Sequence, residues 1–339
     1  MLRPLPGVSH RLIHAGDAAQ PFLLGVSIAA HRGGFHAAWG ASAKDENDTQ
    51  SAFVAKASRD ARTWSDPQPI APKPAGPDAH SHGVLLSTGD ALWAFAPRAR
   101  FGDIEEYPGL RMEVFRFDEV RAAWESRGET APGFWPLGEP QRMDNGNWIL
   151  AGAIPHRWPR CDPSVAISHG DDLTRWTVVT IPTAQTTWGE TAVLVDGPRI
   201  RAFIRPPADG LPLLSADSTD FGRTWTTAQA GNLPMSASKP YAGRLRNGTG
   251  YLIVNLPVPG LETRDTLALA LQRPGAAGFT ELHLIRQGPS PAPRTAGAGI
   301  ARQWAYPYAI EHAGKLLVVY ASTKENAELS IVEVGGLGE

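Results

Sequence analysis

The chain has 339 residues, a formal net charge of -2, 42% hydrophobic and 19% charged residues. That is enough apolar material for a large core, which excludes a globally disordered chain. With no long basic block, non-specific nucleic-acid binding has no electrostatic basis. The single cysteine, Cys161, excludes an internal disulfide and any zinc-ligand spacing. Residues 1–7 lack the apolar stretch of a leader peptide. No segment approaches the roughly 18 uninterrupted apolar residues of a membrane span. The chain as given therefore reads as soluble and cytoplasmic, or as secreted or periplasmic if a leader has been removed.

Thirty-five Gly, thirty Pro and eleven Trp point to many turns and short strands. In chain order, Ser9 to His14 forms a strand able to close a ring with the last repeat. A hairpin follows over Ser27 to Gly40, turning at Arg32-Gly33-Gly34. Phe53 to Ala57 is a third strand, and the Pro-rich run Pro67 to Pro77 is a loop. The hairpin returns over Val84 to Pro97, turning at Thr88-Gly89-Asp90. Phe117 to Arg127 is the best helix candidate. A weaker unit starts near Asn147-Trp148. Further hairpins cover Ala192 to Pro206, Tyr241 to Leu256 and Tyr308 to Ser322. Leu267 to Gln272 is another third strand, and Gly288 to Gly299 is a second inter-repeat loop.

Hairpin, third strand, polar turn ending in Trp, fourth strand: this order recurs with starts near residues 26, 82, 147, 190, 239 and 306. A pair of β-sandwiches explains the strands but not the recurrence. The pattern predicts an all-β chain, a single domain over 1–339, folded as a six-bladed β-propeller of four-stranded antiparallel blades. Residues 98–146 leave room for a seventh blade.

The run Ser218-Thr219-Asp220-Phe221-Gly222-Arg223-Thr224-Trp225 is a Ser-x-Asp-x-Gly-x-Thr-Trp box. Its Asp can hydrogen-bond turn amides, and its Gly can take positive φ. Eroded copies stand at Ser58 to Trp64 and Asp171 to Trp176. With these boxes the chain resembles the sialidase-like (Asp-box, or BNR-repeat) propeller superfamily over nearly its whole length. The resemblance implies that first strands line a central channel and that substrate-contacting residues cluster at one end of it.

On that resemblance, Glu190 in Trp188-Gly189-Glu190 matches the Glu that activates a nucleophilic Tyr. Tyr306 matches that Tyr, Arg205 matches one arginine of a carboxylate-binding triad, and Arg264 is its second. The first-blade arginine of sialidases is replaced here, where the place reads Leu24-Gly25-Val26-Ser27. The acid/base Asp has a loose counterpart in Asp45-Glu46-Asn47-Asp48. A structural ion pair is the alternative for Glu190 and Arg205.

The second repeat opens Asp78-Ala79-His80-Ser81-His82-Gly83, which is similar to propeller enzymes cleaving rhamnosyl-glucuronate or ulvan linkages through a channel His. His82 is taken as the channel residue and His80 as a substrate neighbour; the alternative is a buried His satisfied by adjacent blades. Lys239, Tyr241, Arg302, Tyr308 and Asn147 also open repeats and complete the candidate set.

Three functions follow. The first is lyase-type cleavage beside a uronate: His82 as base, Tyr306 or Tyr308 as acid, and Arg205 with Lys239 or Arg264 on the carboxylate. The second is an exo-sialidase-like hydrolase using Tyr306, Glu190 and the arginines. The third is a non-catalytic glycan-binding propeller. The expected partner is an acidic oligosaccharide or polysaccharide, met by a monomer with no cofactor, although a structural calcium in the channel is compatible with the fold.

Overall fold

A computed structural model describes residues 2–102, 107–157, 160–297 and 299–337. Six antiparallel sheets stand in sequence order around an axis, each contacting the next and the sixth contacting the first. Among the described residues there is no seventh blade: within 98–146 they form the end of the second strand and the outer hairpin of blade 2, and the inner strand of blade 3.

Blade 1 runs outward through Phe22–His31, Gly34–Ser42, Ala52–Ser58 and Gln68–Pro69. Blade 2 has a broken inner strand, Asp78–His80 and Val84–Ser87, then Leu92–Arg100, Arg111–Asp118 and Ala123–Thr130. The expected helix over 117–127 is thus a hairpin. It turns at residues 119–122, with Ala122 at φ 50°, and Met112 to Asp118 pair with Ala123 to Thr130. Alternation on a half-exposed outer hairpin is weak, so the short helical reading lost to sheet pairing.

Blade 3 also has a broken inner strand, Trp135–Pro136 and Gln141–Arg142, followed by Trp148–Pro155, Cys161–His169 and Asp172–Thr180. Its start therefore lies near residue 135, and Asn147-Trp148 opens its second strand. The Pro and Gly residues of Pro136-Leu137-Gly138-Glu139-Pro140 hide the first from a search for apolar runs. Blades 4 and 5 begin with Thr191–Asp196 and Tyr241–Arg244. Blade 6 begins with Trp304–His312, and its outer strand is Ser9–Ala15, paired antiparallel with Asn326–Glu333. The ring thus closes as expected, with the N-terminal strand completing the last blade. Leu2–Pro4 adds a parallel fifth strand to blade 5.

The boxes at Ser218 and Ser58 fill the turns between third and fourth strands, whereas the copy at Asp171–Trp176 starts in that turn and runs into the fourth strand of blade 3. In Ser218–Trp225, Asp220 Oδ1 accepts the amides of Arg223 and Thr224 at 3.1 and 2.9 Å, and Ser218 Oγ accepts the amide of Gly222 at 2.9 Å. Trp225 Nε1 then donates to Gly222 O at 2.9 Å. The copy at Ser58 is one residue shorter. Asp60 still accepts two amides, but Ala61 takes the positive φ, and Trp64 Nε1 is buried without a partner. Losing the glycine residue therefore removes the acceptor that the indole uses in the intact box.

The closing strand alternates: Ile13 is 4% exposed and Leu12 is 55% exposed. Ile13→Ala should lower unfolding stability by about 2–5 kcal/mol, and Leu12→Ala should change it by less than about 0.5 kcal/mol. Urea unfolding followed by tryptophan fluorescence measures both; equal effects would mean that this strand is not seated in blade 6.

Candidate functional site

The inner strands begin at one end of the ring, and a cavity of about 420 Å³ opens there. Five of the six blades send residues into the wall. Leu24 comes from blade 1, Ser81 and His82 from blade 2, and Trp135 and Leu137 from blade 3. Trp188, Glu190 and Arg205 come from blade 4, and Tyr306 from blade 6. Loops add Glu46, Asn47, Tyr107, His156 and Arg160.

Glu190 immediately precedes the inner strand of blade 4, and Arg205 immediately follows the strand paired with it. Thr191 faces Ile204 across the ladder, and the Arg205 amide donates to Glu190 O at 3.0 Å. The hairpin register therefore brings the two side chains together: Arg205 Nη1 donates to Glu190 Oε2 at 2.6 Å. Trp188 stacks on the guanidinium, 4.4 Å from the ring centroid. The Tyr306 hydroxyl interacts with both members of the pair. Burial raises the Glu190 carboxyl, but the charge and hydrogen bond of Arg205, with help from Tyr306 and Arg264, hold it below the usual carboxylate range. Burial, then Glu190, push the Tyr306 phenol well above its ordinary value. Tyr306 adopts φ 58°, a conformation that a bulky residue rarely takes and that tends to mark functional sites.

His82 lies against this group, its ring 5.7 Å from Tyr306 and 5.2 Å from Trp135. A regular strand would put residues 80 and 82 on the same face. The strand breaks instead after His80, because Gly83 passes so close to Phe95 that a Cβ would sit 2.1 Å from its carbonyl oxygen. His82 turns into the cavity. His80 points into its own blade, where Nε2 meets Glu113 Oε2 at 2.8 Å, so it is not on the cavity wall. Burial, then the charge of Lys239, lower the His82 pKa to about 3.

Several expected site residues pack elsewhere. Lys239 is buried below the cavity, donating to Pro307 O at 2.8 Å and Leu137 O at 3.2 Å. Tyr308 and Tyr241 fill the channel, their hydroxyls donating to Leu85 O and Ala309 O at 2.7 and 2.8 Å. They face the axis as inner-strand residues should, but the axis there is packed. Arg302 donates to Ser290 O, and Asn147 caps the exposed turn at the far end by accepting the Gly170 amide. Arg264 stands behind the cavity, donating to Gln303 Oε1 and Ala237 O.

Other wall residues were absent from the expected set. Glu46 was covered only by the broad counterpart Asp45 to Asp48, and its Oε2 accepts from Lys324 Nζ at 2.5 Å. Lys324 sits 5.5 Å over the Tyr306 ring, on a turn where it and Thr323 both have positive φ. Trp135 and Tyr107 pack edge to face at 5.2 Å. Among the described residues no group of three or more His, Cys, Asp or Glu side chains could hold a metal ion.

A family model for the BNR repeat-like domain matches residues 33–319. No curated protein matches the chain. Solved structures do. A Dyadobacter fermentans protein of unknown function is 17% identical, with a TM-score of 0.75, 97% of this chain and 100% of that one being covered. The Hadza microbial sialidase Hz136 is 15% identical, with a TM-score of 0.75 and coverage of 95% and 68%. Trypanosoma rangeli sialidase in complex with sialic acid is 14% identical, with a TM-score of 0.71 and coverage of 99% and 60%. At these identities the likeness is one of fold.

Two stability predictions follow from the buried charges. Arg205→Met strands the Glu190 carboxylate and should cost about 3–5 kcal/mol in urea unfolding; an unchanged midpoint would mean that the pair is solvated. The depressed His82 pKa makes the unfolded chain bind more protons between pH 6.5 and about 3. His82 therefore contributes stability at neutral pH that is lost as pH falls through that window. His82→Gln should flatten the fall of the unfolding midpoint over this range, and a slope equal to wild type would contradict the burial of a neutral imidazole.

Proposed function

The chain belongs to the BNR repeat-like family, and on that premise we propose that it is a glycoside hydrolase acting on an acidic sugar, with Tyr306 as nucleophile. The observation that carries this reading is the convergence of Tyr306, Glu190 and Arg205, from two blades, on one cavity. A carboxylate nucleophile would be repelled by an anionic sugar. A neutral phenol is not, but it needs a base. Glu190 is held ionised beside it and takes its proton as the Tyr306 oxygen bonds to the anomeric carbon. The bond to the leaving oxygen breaks, and that oxygen takes a proton from solvent, because Glu46, the second carboxyl group of the cavity, is paired as a carboxylate with Lys324. Water then replaces Tyr306 at the anomeric carbon, giving one proton back to solvent while Glu190 returns its proton to the phenol oxygen. Arg205 keeps Nε, which has no partner, for the sugar carboxylate, since Glu190 occupies Nη1. On this reading the enzyme works as a monomer on acidic oligosaccharides without a cofactor. The fold of the sialidases it resembles is consistent with the reading.

β-Elimination beside a uronate is the second reading, favoured by the contact of His82 with Tyr306. An imidazole whose pKa is driven to about 3 is a weak base, which places this reading behind the first.

Fluorogenic glycosides of sialic acid, glucuronate and iduronate test the first reading, and polysaccharides that carry a 4-O-linked uronate, where elimination has a leaving group, test the second. Release of fluorophore with a saturated sugar is expected. Tyr306→Phe should lower kcat by roughly three orders of magnitude or more, and Glu190→Gln by about 10²–10⁴-fold. An unsaturated uronate product would establish elimination instead. Full activity in Tyr306→Phe would remove the tyrosine mechanism.

A further inference from the structure

The cavity wall carries buried polar atoms that have no partner. His82 Nε2, Trp135 Nε1 and Arg205 Nε are shut off from solvent and make no hydrogen bond, and all three residues line the same cavity. Native proteins leave few such atoms, and each asks for a reason. Arg205 Nε has one under the proposed function, namely the sugar carboxylate. The other two do not.

His82 is held tightly. A Cβ on Gly25 would meet its ring at 2.1 Å, and one on Gly40 would meet its backbone nitrogen at 2.6 Å. The ring lies between Trp135 and Tyr306, and Nδ1 is 3.3 Å from Ser81 Oγ. Only 6% of the residue is exposed. Two side-chain-free positions on blade 1 thus make room for an imidazole that forms no bond through Nε2. That arrangement lowers stability unless something else meets the nitrogen.

We propose that His82 is a specificity residue, which with Trp135 recognises an uncharged hydroxyl group on the acidic sugar held by Arg205. This rests on the function proposed above. A hydroxyl fits because it both donates and accepts. It can give its proton to an unprotonated Nε2 or take one from Nε2–H, and in either case its oxygen can accept from the Trp135 indole. A substrate ammonium would face the nearby charges of Lys239 and Lys324, which act on His82 against the single opposing charge of Glu190. A second carboxylate would meet Glu190 and Glu46 across the same small cavity. The substrate class is therefore an acidic sugar with a free hydroxyl beside the reacting centre. A site built to bond a hydroxyl rejects the analogue that lacks it far more strongly than an apolar pocket discriminates by size.

The experiment is a cycle of substrate and protein deletions. The acidic glycoside that the enzyme turns over is compared with its monodeoxy analogues, on wild type, H82Q and H82F. In wild type, removal of one hydroxyl should lower kcat/KM by roughly 10- to 100-fold. H82F should lose a similar factor on the parent sugar and be indifferent to that deletion. H82Q, which keeps a neutral hydrogen-bonding group, should stay within about fivefold of wild type with an unchanged pH profile. If H82F does not fold, Trp135→Phe supplies the second arm, because it deletes the other donor and keeps an aromatic ring. Two results overturn the proposal: no hydroxyl deletion whose penalty vanishes in the variants, or H82Q as inactive as H82F with a lost limb of the pH profile. If no glycoside is turned over, the hydrolase reading fails. The same cycle is then run on calorimetric affinities for free glucuronate, N-acetylneuraminate and their deoxy forms. Coupling there sustains the His82 assignment alone, and absence of any binding overturns it too.

Discussion

The buried pair of Glu190 and Arg205 is the constraint on which the cavity depends. A charge buried this far from water is tolerated only with a partner at short range. The pair meets that condition by backbone register: its members stand just outside the two ends of one hairpin, and the ladder of Thr191 against Ile204 delivers both to the same point. The partner that neutralises Arg205 also restricts it, because Nη1 is committed to Glu190 and Trp188 covers a face of the guanidinium. Among its nitrogens, Nε is buried without a partner. A guanidinium fixed in this way has little freedom to turn, so any anion it met would be held in a narrow range of orientations.

The channel below the cavity explains why some inner-strand residues could be read from the sequence and others could not. The box at Ser218 set the blade register, and that register pointed to Glu190, Arg205, His82 and Tyr306, which line the cavity. It also marked Lys239, Tyr241 and Tyr308, which occupy the axis but satisfy backbone carbonyls of neighbouring blades. A one-dimensional pattern shows which residues face the axis. It does not show at what depth the axis fills, because that depends on side chains arriving from other blades. Irregular backbone added a second limit. Strand breaks after His80 and Pro136 shift the side chains beside them out of simple alternation, and the break in blade 3 moved its start by a full strand.

Loop residues were the least legible. Glu46 and Lys324 belong to turns of blades 1 and 6, and nothing in the sequence between them announces that they meet. Glu46 is presented by a loop braced through Asp48, which accepts the amides of Ala43, Lys44 and Gln50. Lys324 is presented by a turn anchored through Glu325, which accepts the amides of Arg294 and Thr295. Gly299 lies so close over the pair that a Cβ would come within 2.4 Å of Lys324 Nζ. Each of these acids reads in sequence as an ordinary polar loop residue. Their function in holding the loops emerges only when the ring closes and blade 6 meets blade 1.

That closure also settles the charge balance of the cavity. Arg205 is matched by Glu190, and Lys324 by Glu46, while Arg264 behind the cavity and Lys239 below it donate to neutral oxygens, which leaves an excess of positive charge. An acidic sugar at such a site would feel a general attraction, so discrimination between sugars would have to come from donors that the pairs leave unused, and from contacts with Trp135, Tyr107 and Leu24. Short-range, geometrically fixed bonds of this kind discriminate between sugars better than a positive field does, since a field acts on any anion. On the proposed function, the unpartnered buried atoms beside the apolar Leu24 would discriminate between sugars by position rather than by charge.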